Sequence, residues 1–90
     1  MLIMVKIWAK CIKNHQLIKD KIYESLDRYN PNTLFLHIQA ICHELDIPTP
    51  VILKSHIANF DQFNTVAFIK RDFVESIDFD SLVLEHVIEK

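Results

Sequence analysis

The chain opens with two segments in which apolar residues alternate with polar ones. Residues 3–13 are rich in Val, Ile and Trp with lysines between them, and residues 17–26 continue with Leu, Ile and Tyr. Segments of this composition predict β-strands. Asn14 and His15 lie between them and predict a two-residue hairpin turn, because asparagine tolerates positive φ.

A two-residue turn fixes the pairing of the hairpin. It places Ile12 opposite Leu17 and Val5 opposite Glu24, which makes one face aliphatic and gathers lysines and aromatic rings on the other. This second face is the candidate interaction face, made of Lys6, Trp8, Lys10, Lys19, Lys21 and Tyr23. The aliphatic face also receives Asp20 and Glu24, and a turn of odd length would shift the pairing.

Two helices are predicted in the middle of the chain. Apolar residues recur at three- and four-residue steps after Asn30, which can cap a helix, and the pattern stops before Pro48. This predicts the main helix over about 31–46. A second, shorter helix is predicted over about 55–63, with Ser55 as its cap.

The last third of the chain predicts further strands. Residues 65–69 could form a strand or extend the second helix, whereas Ser81 to Glu89 reads as a final strand that is apolar on both faces. Such a strand is either covered or paired with another chain. We therefore predict one α+β domain over residues 1–90, with an antiparallel sheet of three to five strands that opens with a β-hairpin.

Composition narrows the classes of protein. Half of the 90 residues are hydrophobic and 24% are charged, which is typical of a globular chain. The sequence contains no glycine, so it has neither of the glycine-rich loops that hold nucleotide phosphates. No apolar run is long enough for a secretory signal or a membrane span, so we expect a cytoplasmic protein in which Cys11 and Cys42 are free thiols.

Charge is concentrated at the two ends of the chain. Residues 1–21 contain five lysines and one aspartate (net +4), and residues 72–90 contain six acids and one lysine (net −5). Lysines interleaved with aromatic rings on a sheet are typical of single-stranded nucleic acid binding. The simpler interpretation is a solvated face neutralised by the acidic C-terminal strand, and the net charge of −2 favours it.

No pattern of catalytic or metal-binding spacing is present. Cys42, His43 and His56 lack the spacings of known metal motifs, so we predict no metal and no cofactor. The acidic residues Asp72, Asp78 and Asp80 would serve a metal-dependent hydrolase only if their carboxylates converged.

Three segments carry a resemblance to a known family. They are Val5-Lys6-Ile7-Trp8, then residues 42–48 (CHELDIP) followed by Pro50, and residues 73–80 (FVESIDFD) followed by an apolar strand. In these the chain resembles a small family of proteins of about 90 residues and unknown function from anaerobic Gram-positive bacteria. The resemblance implies a bacterial origin and brings no activity and no functional residue.

The leading functional hypothesis is therefore a non-enzymatic accessory or protein-interaction domain. We expect self-association as a homodimer through an edge strand formed by Ser81 to Glu89. The alternatives are a nucleic-acid-binding module that uses the lysine–aromatic face and a metal-dependent hydrolase that uses the acidic cluster.

Overall fold

A computed structural model describes residues 5–88 of the chain. It contains a four-stranded antiparallel sheet and two α-helices, which confirms the predicted α+β class and the opening hairpin. The strands are β1 (Val5–Lys13), β2 (Gln16–Ser25), β3 (Thr65–Ile69) and β4 (Ser81–His86). The helices are α1 (Leu34–Leu45) and α2 (Lys54–Phe63), with single 3-10 turns at Pro31–Thr33 and Lys70–Asp72.

The strand order β2-β1-β4-β3 puts β4 inside the sheet. Strand β4 pairs with β1 on one side and with β3 on the other, so the prediction that it forms an edge was wrong. Apolar residues on both faces are compatible with an inner strand as well as with an edge strand that pairs with another chain, so the pattern alone could not distinguish the two positions. The edges are β2 and β3. The predicted strand residues before Val5 and after Ile88 lie outside the described residues.

The hairpin turn forms as predicted, but the register changes beyond it. Asn14 and His15 have φ values of 52° and 65°, as a type I′ turn requires, and Ile12 lies opposite Leu17. The next pair joins Cys11 to Lys19, so Ile18 is the extra residue of a β-bulge. Every later pair is shifted by one residue.

The helices begin and end at identifiable signals. The side chain of Asn30 accepts a hydrogen bond from the backbone N–H of Asn32 and caps the 3-10 turn that precedes α1. Helix α1 itself follows Thr33, which makes no side-chain cap bond, and it ends at Asp46 in the left-handed conformation. At the start of α2 the backbone N–H of Leu53 donates to Nδ1 of His56 at 2.9 Å. The prediction that Ser55 caps this helix was wrong, because Ser55 lies inside α2 and the N-cap residue is Leu53.

Both helices pack on the same face of the sheet. The core joins the odd-numbered residues of β1 to apolar residues of α1, α2, β3 and β4, with Phe60 and Phe68 among the fully buried side chains. Burial of each such ring contributes roughly 2–3 kcal/mol. Within residues 5–88, neither helix has the length and hydrophobicity needed to cross a membrane. Among residues 5–88, no helix covers the opposite face of the sheet.

Candidate interaction surface

The uncovered side of the sheet, called the open face below, is built from alternate residues of all four strands. The pairing places the following residues there: Lys6, Trp8, Lys10 and Ile12 of β1, Leu17, Asp20, Ile22 and Glu24 of β2, Thr65, Ala67 and Ile69 of β3, and Ser81, Val83 and Glu85 of β4. Their neighbours along each strand face the helices.

The bulge at Ile18 divides the six predicted interaction residues into two groups. Lys6, Trp8 and Lys10 lie on the open face, whereas Lys19, Lys21 and Tyr23 pair with core-facing residues of β1 and lie on the helix side. The prediction that all six share one face was therefore wrong. The physical reason is the period of two along a strand, because one extra residue moves every later side chain to the opposite face.

The three relocated residues join β2 to α1. Lys19 Nζ donates to the backbone oxygen of Leu45 at 2.8 Å. Its positive charge also interacts favourably with the negative end of the dipole of α1. Lys21 Nζ lies 3.3 Å from Glu44 Oε1. Both lysines thus hold the C-terminal end of α1 against the sheet edge.

Tyr23 makes the most buried of these contacts. Its hydroxyl lies 2.8 Å from Nδ1 of His37, and the two rings meet edge to face with centroids 5.5 Å apart. His37 is the one buried polar side chain among the described residues, at 5% exposure. Burial raises the pKa of the Tyr23 hydroxyl, so this group keeps its proton at neutral pH.

The charged groups of the open face interact with each other and with Trp8. The indole Nε1 of Trp8 donates to Asp20 Oδ2 at 3.0 Å. The ammonium group of Lys10 lies 4.2 Å from the centroid of the Trp8 ring and 3.6 Å from Glu85 Oε1. This cation–π contact and ion pair hold the centre of the open face in one arrangement.

The charged side chains of the open face carry a small net negative charge. Its lysines are Lys6 and Lys10, and its carboxylates are Asp20, Glu24 and Glu85, so two positive charges face three negative ones. A nucleic acid backbone needs an excess of positive charge to replace its counterions. The open face, with a formal charge of −1, does not offer one.

Apolar side chains occupy the rest of this surface. Trp8 lies directly opposite Ile22, which is 45% exposed, and Ile12 lies opposite Leu17, which is 48% exposed. On the other side of the sheet centre, Ala67 pairs with the half-buried Val83. The apolar residues thus form two groups, one on β1 and β2 and one on β3 and β4, because each open-face pair between β1 and β4 joins an apolar residue to a polar one. Exposed apolar groups rimmed by polar residues are typical of protein contact surfaces.

The acidic cluster of the C-terminal segment does not converge. Asp72 Oδ2 accepts from the backbone N–H of Ile69 at 2.9 Å and lies 3.6 Å from His56 Nε2. Asp80 Oδ2 instead accepts from the backbone N–H of Asn14 at 2.8 Å, and this bond lowers the pKa of Asp80. No group of three or more His, Cys, Asp or Glu side chains within residues 5–88 is arranged to hold a metal ion.

A cavity of about 420 Å³ lies on the helix side, near the end of β1. Its lining includes Cys11, Lys19 and Asp78 together with apolar residues of the neighbouring loops. Burial raises the pKa of the Cys11 thiol, which outweighs the opposing effect of Lys19, so the thiol is not activated as a nucleophile. The ammonium of Lys19 is already bound to a helix carbonyl.

Sequence reasoning missed the acidic half of the open face. Asp20 and Glu24 were placed on the predicted core face, and this conflict was the signal that could have revealed the bulge. It also missed an aromatic cluster on the helix side, where the His86 ring lies 5.1 Å from Tyr29 and 5.4 Å from Phe60, centroid to centroid. Burial lowers the pKa of His86.

Comparison with known proteins gives no relative for this chain. No family model matches it, and no curated protein and no solved structure is detectably similar to it. The resemblance drawn from the three sequence segments therefore stays a prediction.

Proposed function

We propose that this protein is a non-enzymatic protein-interaction domain of the cytoplasm and that it binds its partner through the open face. The observation that carries the proposal is the one-sided packing of the fold. All four strands present an uncovered surface in which apolar side chains surround a fixed group formed by Trp8, Lys10, Asp20 and Glu85. The partner expected from this chemistry is a protein surface with an apolar centre and charges of both signs.

The internal contacts of the open face favour a protein partner on energetic grounds. Trp8 supplies a large ring, and the hydrogen bond to Asp20 and the contact with Lys10 hold that ring in place before binding. A side chain that is already ordered loses less conformational entropy in a complex. Tryptophan is also among the residues that most often dominate binding energies at protein interfaces.

Nucleic acid binding has less support. The bulge removes Lys19 and Lys21 from the surface that carries Trp8, and it adds Asp20 and Glu24 in their place. Bases stacked on Trp8 would bring phosphates toward carboxylates. The hydrolase alternative lacks the convergence of Asp72, Asp78 and Asp80 that it requires.

Site-specific photocrosslinking in the cells that make the protein tests the proposal. A photoreactive residue would replace Ile22 or Val83 on the open face, or Leu36 as a control, because Leu36 lies on α1 and is 52% exposed. We expect one discrete protein adduct from positions 22 and 83, resistant to ribonuclease, and its loss on adding Trp8→Ala. Equal adducts from all three positions, or adducts that ribonuclease removes, would overturn the proposal.

A further inference from the structure

The outer edge of β3 exposes backbone groups that the sheet does not use. The backbone N–H of His86 donates to the oxygen of Asn64 at 2.7 Å, which makes these residues a hydrogen-bonded pair. In an antiparallel ladder such pairs alternate, so Val66 and Phe68 also bond to β4. Thr65, Ala67 and Ile69 must then direct their N–H and C=O groups away from the sheet.

One of these outward groups is already occupied. The N–H of Ile69 donates to the Asp72 side chain at 2.9 Å, which agrees with its outward direction. Among residues 5–88 no backbone or side-chain group bonds to the outward N–H and C=O groups of Thr65 and Ala67. The edge of β3 therefore offers two donors and two acceptors in a row.

The side chains of β3 leave this edge unprotected. Its five residues include no charge and no proline. The other edge strand, β2, carries Lys19, Asp20, Lys21 and Glu24 as well as the bulge. Charges and bulges are the means by which edge strands avoid pairing with other chains, and only β2 has them.

We infer that a second copy of this chain pairs with β3 in antiparallel fashion about a twofold axis at Val66. This deepens the proposed interaction role, on which it rests, by naming one partner and its contact. In this register Thr65 lies opposite the partner's Ala67, and each such pair exchanges two N–H···O bonds. The twofold axis creates the pair twice, so all the outward groups of Thr65 and Ala67 are satisfied.

The same register covers exposed apolar residues at both ends of the strand. It brings Ile69, which is 40% exposed, toward the partner's Phe63, which is 62% exposed and is the last residue of α2. Lys70 and Arg71 follow Ile69, and the twofold axis sends them to opposite ends of the joint. Like charges are therefore kept apart.

Pairing through β2 about Ile22, its central outward residue, would not share this advantage. In β2 the N–H and C=O groups of Asp20, Ile22 and Glu24 point away from the sheet. The residues next to them, Lys19, Lys21 and Tyr23, pair with those residues of β1 whose backbone groups point toward β2 and not toward β4. A twofold axis at Ile22 would place Asp20 opposite the partner's Glu24 on the same face. Like charges directly opposite each other destabilise a sheet.

The contact is small, so the expected dimer is weak. Five residues of strand span about 17 Å, which is well below the size of a stable protein interface. We expect dissociation constants between roughly 0.1 and 1 mM, near the weak end of specific binding. Dimerisation would then be visible in sedimentation equilibrium at millimolar but not at micromolar protein.

Proline substitution tests the edge with a matched control. Ala67→Pro removes one outward N–H and no bond to β4, and Ile22→Pro does the same on β2. Sedimentation equilibrium up to 2 mM protein should show the dimer for the wild type and Ile22→Pro, and only monomer for Ala67→Pro, with far-ultraviolet circular dichroism as the check on folding. A strictly monomeric wild type, or dimerisation of folded Ala67→Pro as strong as that of the wild type, would overturn the inference.

Disulfide trapping tests the register without relying on the proline variants. Thr65→Cys/Ala67→Cys should form a covalent dimer under a mild oxidant such as copper phenanthroline, because hydrogen-bonded pairs place their Cα atoms about 5.5 Å apart. Each disulfide forms with the loss of two electrons, which reduce two Cu(II) ions that dissolved oxygen then reoxidises, and of two thiol protons, which pass to the buffer. Ile22→Cys on β2 is the control and should stay monomeric, because a twofold axis at Ile22 would place two copies of this cysteine opposite each other while Asp20 and Glu24 are kept. Equal trapping of both variants would contradict the inference.

Trp8 separates this inference from the proposed function. The protein has a single tryptophan, and it lies on the open face, away from the edge of β3. Dimerisation through β3 should leave Trp8 emission unchanged, whereas stacking of two open faces should shift it to shorter wavelength. A monomer that still gives the open-face crosslinks would refute only the β3 contact, and a dimer trapped at β3 without those crosslinks would refute only the open-face partner.

Discussion

The indole nitrogen of Trp8 and the carboxylate of Asp20 meet across the opening hairpin at 3.0 Å. They lie on neighbouring strands but are not directly opposite, because Trp8 pairs with Ile22 and Asp20 pairs with Lys10. Only the register created by the bulge brings them to the same face. The bond therefore depends on the shifted register, and it shows that Trp8 lies on a surface with acidic side chains.

Reversing acidic charges on the open face should create nucleic acid binding. Asp20→Lys/Glu24→Lys changes the charge of this face from −1 to +3. We expect the variant to be retained on heparin, and oligonucleotides to quench its Trp8 fluorescence in low salt, whereas the wild type shows neither effect. Asp27→Lys/Asp61→Lys makes the same change elsewhere and is the control. Quenching of wild-type Trp8 would contradict our assignment of the open face.

Removing the Tyr23 hydroxyl should destabilise the fold. Tyr23→Phe leaves the Nδ1 of buried His37 without its partner, and an unsatisfied buried group costs about 1–3 kcal/mol. Tyr29→Phe is the matched control, since the hydroxyl of Tyr29 donates to the exposed Asp61 at 3.2 Å. Urea unfolding should show the larger loss for Tyr23→Phe. Equal losses would mean that the Tyr23–His37 bond contributes no more than a surface bond.

Stability should fall as the solution becomes mildly acidic. Burial lowers the pKa of His86 below 6.5, so the unfolded chain takes up this proton first and stability is lost as pH falls below 6.5. The titratable groups nearest to His86 in its cluster are Tyr29 and, through the bond from Tyr29, Asp61. His86→Phe should reduce the pH dependence of the free energy of unfolding between pH 7 and pH 5. His43→Asn, an exposed control, should leave that dependence unchanged. An unchanged slope in His86→Phe would exclude this histidine as the cause.

Alkaline conditions should destabilise the protein through its buried thiols. Burial raises the pKa of Cys42 from 9.0 to about 11, so the unfolded chain loses this proton first as pH rises. The free energy of unfolding should therefore fall by roughly 2 kcal/mol between pH 9 and pH 11. Cys42→Ala should reduce the loss between pH 9 and pH 11 by about this amount, measured by urea unfolding at each pH. The raised pKa values of Cys11, Tyr23 and Tyr29 account for the dependence that remains.

A second measurement checks the thiol assignment directly. Cys42 and Cys11 have 0% and 1% exposure, so a disulfide reagent should modify them only when the fold opens. The reaction rate should follow the stability of each variant, and Tyr23→Phe should accelerate it. Fast modification of the folded wild type would contradict their burial.

The elements with local signals could be predicted from the sequence. Asn30 before Pro31 and the stop before Pro48 are local signals, and α1 lies between them. Asn14 and His15 specified the turn for the same reason, because a two-residue loop needs positive φ at both positions.

The faces of β2 could not be predicted in the same way. A bulge has no strong local signature, and its energy depends on what each face meets in the folded protein. The shift moves Asp20 and Glu24 from the helix side of the sheet to the open face and brings Lys19 and Lys21 to the helix side. Those lysines are tolerated because β2 is an edge strand, where long side chains can reach past the core to polar groups of α1.

The position of β4 depended on long-range pairing. The sequence of β4 is compatible with both an edge strand and an inner strand. Its position depends on whether residues 65–69 form a strand that pairs with it, and for those residues the sequence did not distinguish strand from helix. Once Thr65–Ile69 is a strand, it occupies the outer side of β4 and becomes an edge itself. The candidate edge for pairing with a second chain is therefore β3 and not β4.

The charged edge of β2 also sets a limit on aggregation. A sheet with two adhesive edges can add copies without end and grow into fibrils. In the dimer inferred above, both β3 edges are used and Asp20 and Glu24 of β2 repel a like edge about Ile22, so growth closes after two molecules and leaves charged strands at both outer margins. Neutralising these carboxylates by acid or by mutation would convert a self-limiting protein into one able to polymerise.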